Sequence, residues 1–543
     1  MVIIMYFYYV NHNLKLKIMK RIVITLIAGI VLICPQSLFG QETESSPLKS
    51  ITEAEMRDHI FFLASDYMGG RIGPSAEYEI AAQYVASQFA AAGLEQVSSE
   101  DGKVEGFFQG VPFTKETFSQ EMKWVLQSEE GKKELIHNED FKILEGRNMT
   151  RETLDVVFAG YGISEPEHGW NDFEKIDIEG KMVIVLAGAP SKNGKAVLPD
   201  SIHQMYSSMM GLQSKLLPVL EKKPASILLV LDKQMSAMIP FAMFPSNYSE
   251  VSYKYQRPEE GPTGLSIPMI YLAKDEVLRS IFEGQKYDPV NIEEDGIKKY
   301  RTYQLEDVSI KSEFSLVESE EIYLKNVVGM VKGTDPDLAG QIITLGAHLD
   351  HVASGGPAVA NGADDNASGS AGVMEIAEAI AMNPPRRSVV FIAYAAEEMG
   401  LCGSHYFVNA GPLSKEKIKF NVNLDMIGRT TAENKDTRSH YVVTDEKYLG
   451  DLEPFISEIN NESIQFPLIF SSNSNSPGNS DHASYSDVGI PSFFFFSGVH
   501  RDLHSPGDDA DKIEYDKAVK LSRLAYLITM KLANMDEVPA FGE

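Results

Sequence analysis

Apolar residues recur at helical spacing twice near the N-terminus, in SPLKSITEAEMRDHIFFLAS and in SAEYEIAAQYVASQFAAAGLE. The glycine-rich turn DYMGGRIGP separates the two predicted helices. From about Leu154 the rhythm changes to short strands and turns, in LDVVFAGYGI, GWNDFEKIDIEGKMVIVLAGAP, ASILLVLD and SIPMIYLA. That stretch carries no cluster of chemically active residues and reads as a separate β-rich module. From Asn326 strands and helices alternate. NVVGMV, GQIITLGAHLDH, SVVFIAYAAEE, IKFNVNLDMIG and IPSFFFFSG read as strands, ASGSAGVMEIAEAIA as a helix and DKAVKLSRLAYLITMKLANM as a closing helix. Such alternation predicts an α/β fold, a mixed and mostly parallel sheet with helices on both faces, plus the inserted β-rich module. The expected division is 48–140 for the first part of the α/β domain, 141–320 for the insertion and 321–537 for the rest of the α/β domain.

The chain has 543 residues, 43% of them hydrophobic, and a formal net charge of −28. The composition is that of a globular protein. The acidic balance argues against a nucleic-acid partner, which calls for a basic face. Lys20 and Arg21 precede the apolar run IVITLIAGIVLIC and then PQSLFGQ, the layout of a secretory signal cleaved after Gly40. Residues 1–40 are therefore expected to be a signal peptide with its true start at Met19. The run is shorter than the roughly 20 residues that span a bilayer, so the expected product is exported, with no integral membrane segment. Ile33 before Cys34 argues against lipid anchoring, because a lipid-attachment signal carries a small residue there. Beyond the signal only Cys402 remains, which reads as a buried structural thiol. No pattern sets an oligomeric state.

Chemistry gathers at the ends of the predicted strands, where open α/β sheets place their sites. GAHLDHV ends a strand with His348 and Asp350, and NGADDNASG brings Asp364 and Asp365 just before a helix. AEE supplies Glu397 and Glu398, NLDMIG supplies Asp425, and VHRDLHSPGDD supplies His500 and His504. A single strand-end aspartate is usually a cap or turn residue. Converging on one sheet edge, these carboxylates would repel one another without a compensating cation. Imidazole with carboxylate suits zinc or a similar divalent ion. The surplus of acidic groups suggests two divalent metal ions about 3.5–4 Å apart.

GAHLDH, NGADDNASGSAGVMEIA, FIAYAAEEMGLCGS, NLDMIGR, SDHASY and HSPGDDADKI resemble, in order, the motifs of the di-zinc exopeptidases of peptidase clan MH. That clan includes leucyl-type aminopeptidases, glutamate carboxypeptidase and glutaminyl cyclase. VVFAGYGI with DIEGKMVIVLAGAP is similar to the protease-associated module that many members carry as an insertion. The resemblance implies one zinc ion on His348 and Asp425, a second on Glu398 and His504, and Asp364 bridging them. It makes Asp350 the residue that orients His348, and Glu397 the general base. His351 and His405 are read as structural, Asp365 as a helix-start carboxylate and His482 as pocket scaffolding. His500 is the rival to His504. The family's oxyanion tyrosine is missing from SNSPGN and RDL; Tyr485 comes after SDH instead. The implied activity is hydrolysis of N-terminal residues from peptides. The alternatives are a carboxypeptidase or cyclase on the same scaffold and, less favoured, a non-catalytic receptor-like protein.

Overall fold

The computed structural model describes residues 46–97, 104–119, 121–145, 152–192, 195–207, 216, 218–231, 241, 250–258, 268–285, 301–353, 358–476 and 479–542. The expected signal peptide, 1–40, lies outside the described residues. The described residues build two large sheets, each with its own hydrophobic core, and two small two-stranded ribbons.

The principal strands of the first sheet are β1 (Phe108–Phe118), β2 (Val251–Tyr255), β3 (Leu316–Val331), β4 (Ile342–His348), β5 (Ser388–Tyr394), β6 (Ile418–Asp425), β7 (His440–Thr444), β8 (Leu468–Ser472) and β9 (Ser492–Phe496). They lie in the order β2-β1-β3-β5-β4-β6-β9-β7-β8. The centre, β5-β4-β6-β9, is parallel. The flank formed by β2, β1 and β3 is antiparallel because β1 and β3 are long strands paired along their length. The sheet is therefore mixed, with its parallel part concentrated where the candidate residues sit.

Strand β5 shows why both faces are covered. Val389, Phe391 and Ala393 point into one core, while Val390, Ile392 and Tyr394 point into another. Alternate side chains leave opposite faces, so a wholly apolar strand needs cover on both. One face takes α1 (Glu53–Leu63), α2 (Ala76–Ala91), α3 (Gly369–Met382) and the closing helix at Tyr515–Asn534. The other takes Phe407 and Val408 of α4 (Cys402–Ala410), together with Tyr485. The two early helices start where side-chain oxygens cap them: Thr52 Oγ1 accepts from Glu55 N–H and Ser75 Oγ from Tyr78 N–H.

The second sheet has strands at Lys123–Ser128, Gly131–Ile136, Phe141–Glu145, Thr153–Phe158, Met182–Leu186, Ser226–Val230, Met269–Ala273 and Tyr303–Glu313. Trp124 stacks on Phe141 in its core, with ring centroids 3.9 Å apart. The strands at 123–136 belong to this sheet and not to the first, and β3, from Leu316, already belongs to the α/β domain. The chain leaves β1 and returns to β3 at one seam, where Ser119 N–H donates to Ser315 O at 2.8 Å. Strand ends that meet in this way let a second sheet be joined to the first with little disturbance. Residues of β2 cross back to pair with β1.

Candidate active site

The carboxyl ends of β4, β5, β6 and β9 open onto one edge, and the loops that follow carry the candidate side chains. His348 is the last residue of β4. Its Nδ1 faces the backbone carbonyl of Asp350 at 3.0 Å, which leaves Nε2 3.3 Å from Asp425 Oδ1 at the end of β6. A bond from one ring nitrogen to a carbonyl selects the tautomer whose other nitrogen can bind a metal. The side chain of Asp350 does something else. Its Oδ1 accepts from Glu397 N–H at 3.0 Å and its Oδ2 from Glu398 N–H at 3.2 Å. The backbone carbonyl at 350 thus orients His348, whereas the carboxylate positions the glutamate pair.

The place between the two expected donor groups is taken by Asp365. Its Oδ1 lies 3.3 Å from His348 Nε2, and its Oδ2 lies 3.1 Å from His504 Nε2. Asp364, expected there as the bridge, points away. It accepts from Gly428 N–H at 2.6 Å and faces His500 Nε2 at 3.3 Å. The reason is local backbone shape. Asp365 (φ −106°, ψ 90°) and Asn366 (φ −135°, ψ 43°) depart from helical geometry, and the regular helix starts only at Gly369. Asp365 is therefore not a helix-start carboxylate. Asp508 holds this irregular turn by accepting the N–H groups of both Asp364 and Asp365 at 3.0 Å.

His351, read from the sequence as structural, also enters the cluster. Its Nδ1 is 3.4 Å from Asp365 Oδ2 and 3.3 Å from Glu398 Oε1, while His504 Nε2 is 3.3 Å from the same Glu398 oxygen. Donor atoms of His351, Asp365, Glu398 and His504 all lie within 4.8 Å of one another, as do those of His348, Asp365 and Asp425. These separations exceed the roughly 2.7–2.9 Å of a charge-assisted hydrogen bond. They fit the edge of a tetrahedron around zinc, about 3.3 Å for ligands at about 2.0–2.1 Å. The donor set thus fits divalent ions at both groups, with one carboxylate common to the two.

Charge supports the fit. The Asp365 and Glu398 carboxylates beside His504 push it up to about 10. Burial opposes charge on His348, yet Asp425, Glu397 and Asp365 outweigh it and raise its pKa well above the ordinary imidazole value. Burial raises Glu397 well above the carboxylate range, with Glu398, Asp481 and Asp425 adding to it and His348 opposing. A divalent cation would supply the positive charge that these carboxylates favour and would compete with protons for the same atoms.

Behind the site, Arg71 is fully buried and donates to the carbonyls of Leu349 (2.8 Å), Leu63 (2.6 Å), Asn361 (2.8 Å) and Gly362 (2.9 Å). It ties the DYMGGRIGP segment to the loops bearing His351 and Asp365. His482 is buried, stacks on Phe494 with centroids 4.4 Å apart, and meets Asn473 Oδ1 at 2.9 Å. His405 lies 3.0 Å from the Tyr255 hydroxyl, and Tyr485 bonds the Tyr394 hydroxyl at 2.6 Å. The signals for Asp365 and His351 were present, in the paired aspartates of ADDN and in HLDH, but spacing does not rank neighbours. Arg71, Asp481 and Asp508 lie inside the stretches DYMGGRIGP, SDHASY and HSPGDDADKI, but nothing in those stretches assigned them these contacts.

A parallel-centred α/β sheet thus gathers imidazole and carboxylate donors suited to a divalent ion at its strand ends. Residues 326–529 match the model of Peptidase family M28. The chain is 34% identical over 178 residues to leupeptin-inactivating enzyme 1 of Streptomyces exfoliatus, covering 32% of this chain and 36% of that protein. It is 29% identical over 217 residues to aminopeptidase YwaD of Bacillus subtilis, covering 38% of this chain and 43% of that protein. It thus matches less than half the length of either relative. The fold is like that of an aminopeptidase from Aneurinibacillus sp. strain AM-1, with a TM-score of 0.53 at 18% identity, covering 92% of this chain and 98% of that one.

Proposed function

We propose that the chain is a zinc-dependent aminopeptidase that uses two metal ions. The observation that carries the reading is the pair of donor groups, at 3.1–3.4 Å separations, meeting on the two oxygens of Asp365. When bound, such ions lower the pKa of water and polarise a carbonyl. His348, Asp425, His504, Glu398 and Asp365 would hold them. Glu397 takes the proton from the attacking water on its carboxylate and hands it to the leaving nitrogen. Its burial and the neighbouring carboxylates suit it to hold that proton between the two steps. Asp350 keeps Glu397 and Glu398 in place through their backbone N–H groups.

An acidic pocket favours a substrate with a free, positively charged amine. Three arginines that could anchor a substrate carboxylate are paired elsewhere or turned to solvent. Arg387 bonds carbonyls near the C-terminal helix, Arg429 pairs with Asp502 at 2.9 Å, and the Arg501 side chain is 89% exposed. In this reading the second sheet is a protease-associated-type insertion, and the basic and apolar stretch before Gly40 directs export. No described helix is long and apolar enough to cross a membrane. The test is a panel of chromogenic aminoacyl substrates beside their N-acetylated forms, each with and without a chelator. Cleavage of free-amino substrates alone, abolished by the chelator and restored by zinc, is the expected result. Equal cleavage of acetylated substrates, or indifference to the chelator, overturns it.

A further inference from the structure

His351 is 2% exposed, and neither of its ring nitrogens makes a hydrogen bond. Leaving an imidazole unpaired in the interior costs about 1–3 kcal/mol. The ring is nevertheless held firmly. A Cβ on Gly362 (φ +57°) would sit 2.6 Å from its Cγ, so the chain passes the ring closely only because residue 362 is glycine. That packing aims Nδ1 at Asp365 Oδ2 and Glu398 Oε1, at 3.4 and 3.3 Å. His504 Nε2 stands 3.1 and 3.3 Å from the same two oxygens, with the two imidazole rings 5.5 Å apart and inclined by 75°. Two imidazoles and two carboxylate oxygens thus surround one point at tetrahedral edge lengths.

We propose that His351 is a further metal ligand, so that His351, His504, Glu398 and Asp365 fill one ion's coordination while His348, Asp425 and Asp365 leave the other ion open. The proposal rests on the metallopeptidase reading and deepens it by making the two ions unequal. Four protein donors close a zinc site in the manner of structural centres, whereas three leave a position for water or substrate. The open group is the one whose His348 and Glu397 act on each other's charge, and Glu397 follows the neighbouring strand β5, which pairs with β4 up to His348. An ion held by the four donors would fix Asp365 and Glu398, and the three-donor group at His348 and Asp425 would keep room for water or substrate.

The decisive measurement is zinc X-ray absorption on the wild-type protein loaded with zinc, which counts imidazoles without any substitution. With two ions per chain, three histidines give an average of 1.5 imidazoles per zinc; His348 and His504 alone give 1.0. With a single ion retained after mild chelation, the proposal expects two imidazoles on it. Competition with a chromophoric chelator adds affinities. His351→Gln and His351→Asn should each weaken the tighter of the two zinc steps by at least about tenfold, because even residues that only orient a ligand change affinity 10–100-fold. The weaker step should keep its wild-type value. A count of 1.0 per zinc, or both affinities unchanged in the variants, overturns the proposal and leaves the peptidase reading intact. A wild-type chain that binds no zinc overturns both.

Discussion

Replacing Asp350 by asparagine removes one of the two carboxylate oxygens that accept from Glu397 and Glu398 N–H, at 3.0 and 3.2 Å. Asparagine offers a single oxygen, and its amide group would face the other N–H donor with donor. The site is 1% exposed, so water does not replace the lost acceptor. A hydrogen bond to a charged group is worth about 1.5–3 kcal/mol. If that positioning is felt in the transition state, turnover falls by about 10- to 150-fold at about 1.36 kcal/mol per decade. His348 keeps its orienting partner, because that partner is the backbone carbonyl of residue 350 and not its side chain. The assay is kcat on a free-amino chromogenic substrate, expressed per zinc-loaded chain, beside the imidazole count at zinc. Lower kcat with His348 still on the metal is the expected outcome. Loss of His348 ligation with normal turnover per loaded chain would refute the reasoning and return Asp350 to the role its spacing in HLDH implies.

Glu397→Gln should retain zinc but lose about 10²–10⁴-fold in kcat, the usual scale for a missing acid–base group. Glu398→Gln should weaken zinc binding instead, and chelator competition tells the two apart. Burial holds His482 down to about 3, so the imidazole stays neutral in the folded chain while it takes up protons below about 6.5 in the unfolded one. The stability it contributes is full above that unfolded value and is lost as the pH falls toward about 3. At pH 5 the loss is about 2 kcal/mol relative to pH 7.5. His482→Gln should lack that increment in urea unfolding at the two pH values, and an identical pH dependence in both proteins would sink the assignment. Arg71→Met takes the donor from the buried carbonyls of Leu63, Leu349 and Asn361, each costing about 1–3 kcal/mol, while Gly362 O keeps Ala367 N–H at 3.1 Å. It should lower unfolding stability by at least about 3 kcal/mol, and an unchanged urea midpoint would mean the carbonyls find other partners.

What could be read from the sequence was the set of strand ends. His348, Asp425 and the Glu397–Glu398 pair follow apolar runs long enough to be buried on both faces, and burial of that kind leaves little freedom in where a strand stops. What could not be read was which atom of two neighbours faces inward. Asp364 and Asp365 differ by one position in an irregular turn whose shape Asp508 sets from 143 residues away. Asp350 and its own carbonyl compete for His348, and only the folded backbone decides between them. The insertion boundary escaped because KWVLQSEEGKKEL, at 123–135, has no continuous apolar run, yet it pairs with the second sheet from its edge.

The loops that follow these strands share a feature that connects fold to chemistry. Ala396, Met426 and His504 all have left-handed backbones, with φ of 55°, 60° and 53°, and none is glycine. Each costs about 1–2 kcal/mol. Each also sits where the chain must turn a donor back over the sheet edge: before Glu397, after Asp425 and at the imidazole itself. Hydrogen bonds hold the first two turns without any ion. Asp350 accepts from the residues after Ala396, and Ser497 N–H and Oγ donate to Met426 O at 2.8 and 2.6 Å. The His504 turn is held by short-range bonds, Leu503 N–H to His500 O and Ser505 N–H to Asp502 O, and its side chain is 48% exposed. The three turns should therefore respond differently to removal of metal. In hydrogen exchange of the stripped protein, amides around 500–505 should gain the most, while those at 395–398 and 424–427 stay protected. Uniform loss of protection across all three would mean that the ions, and not the fold, hold the strand ends in place.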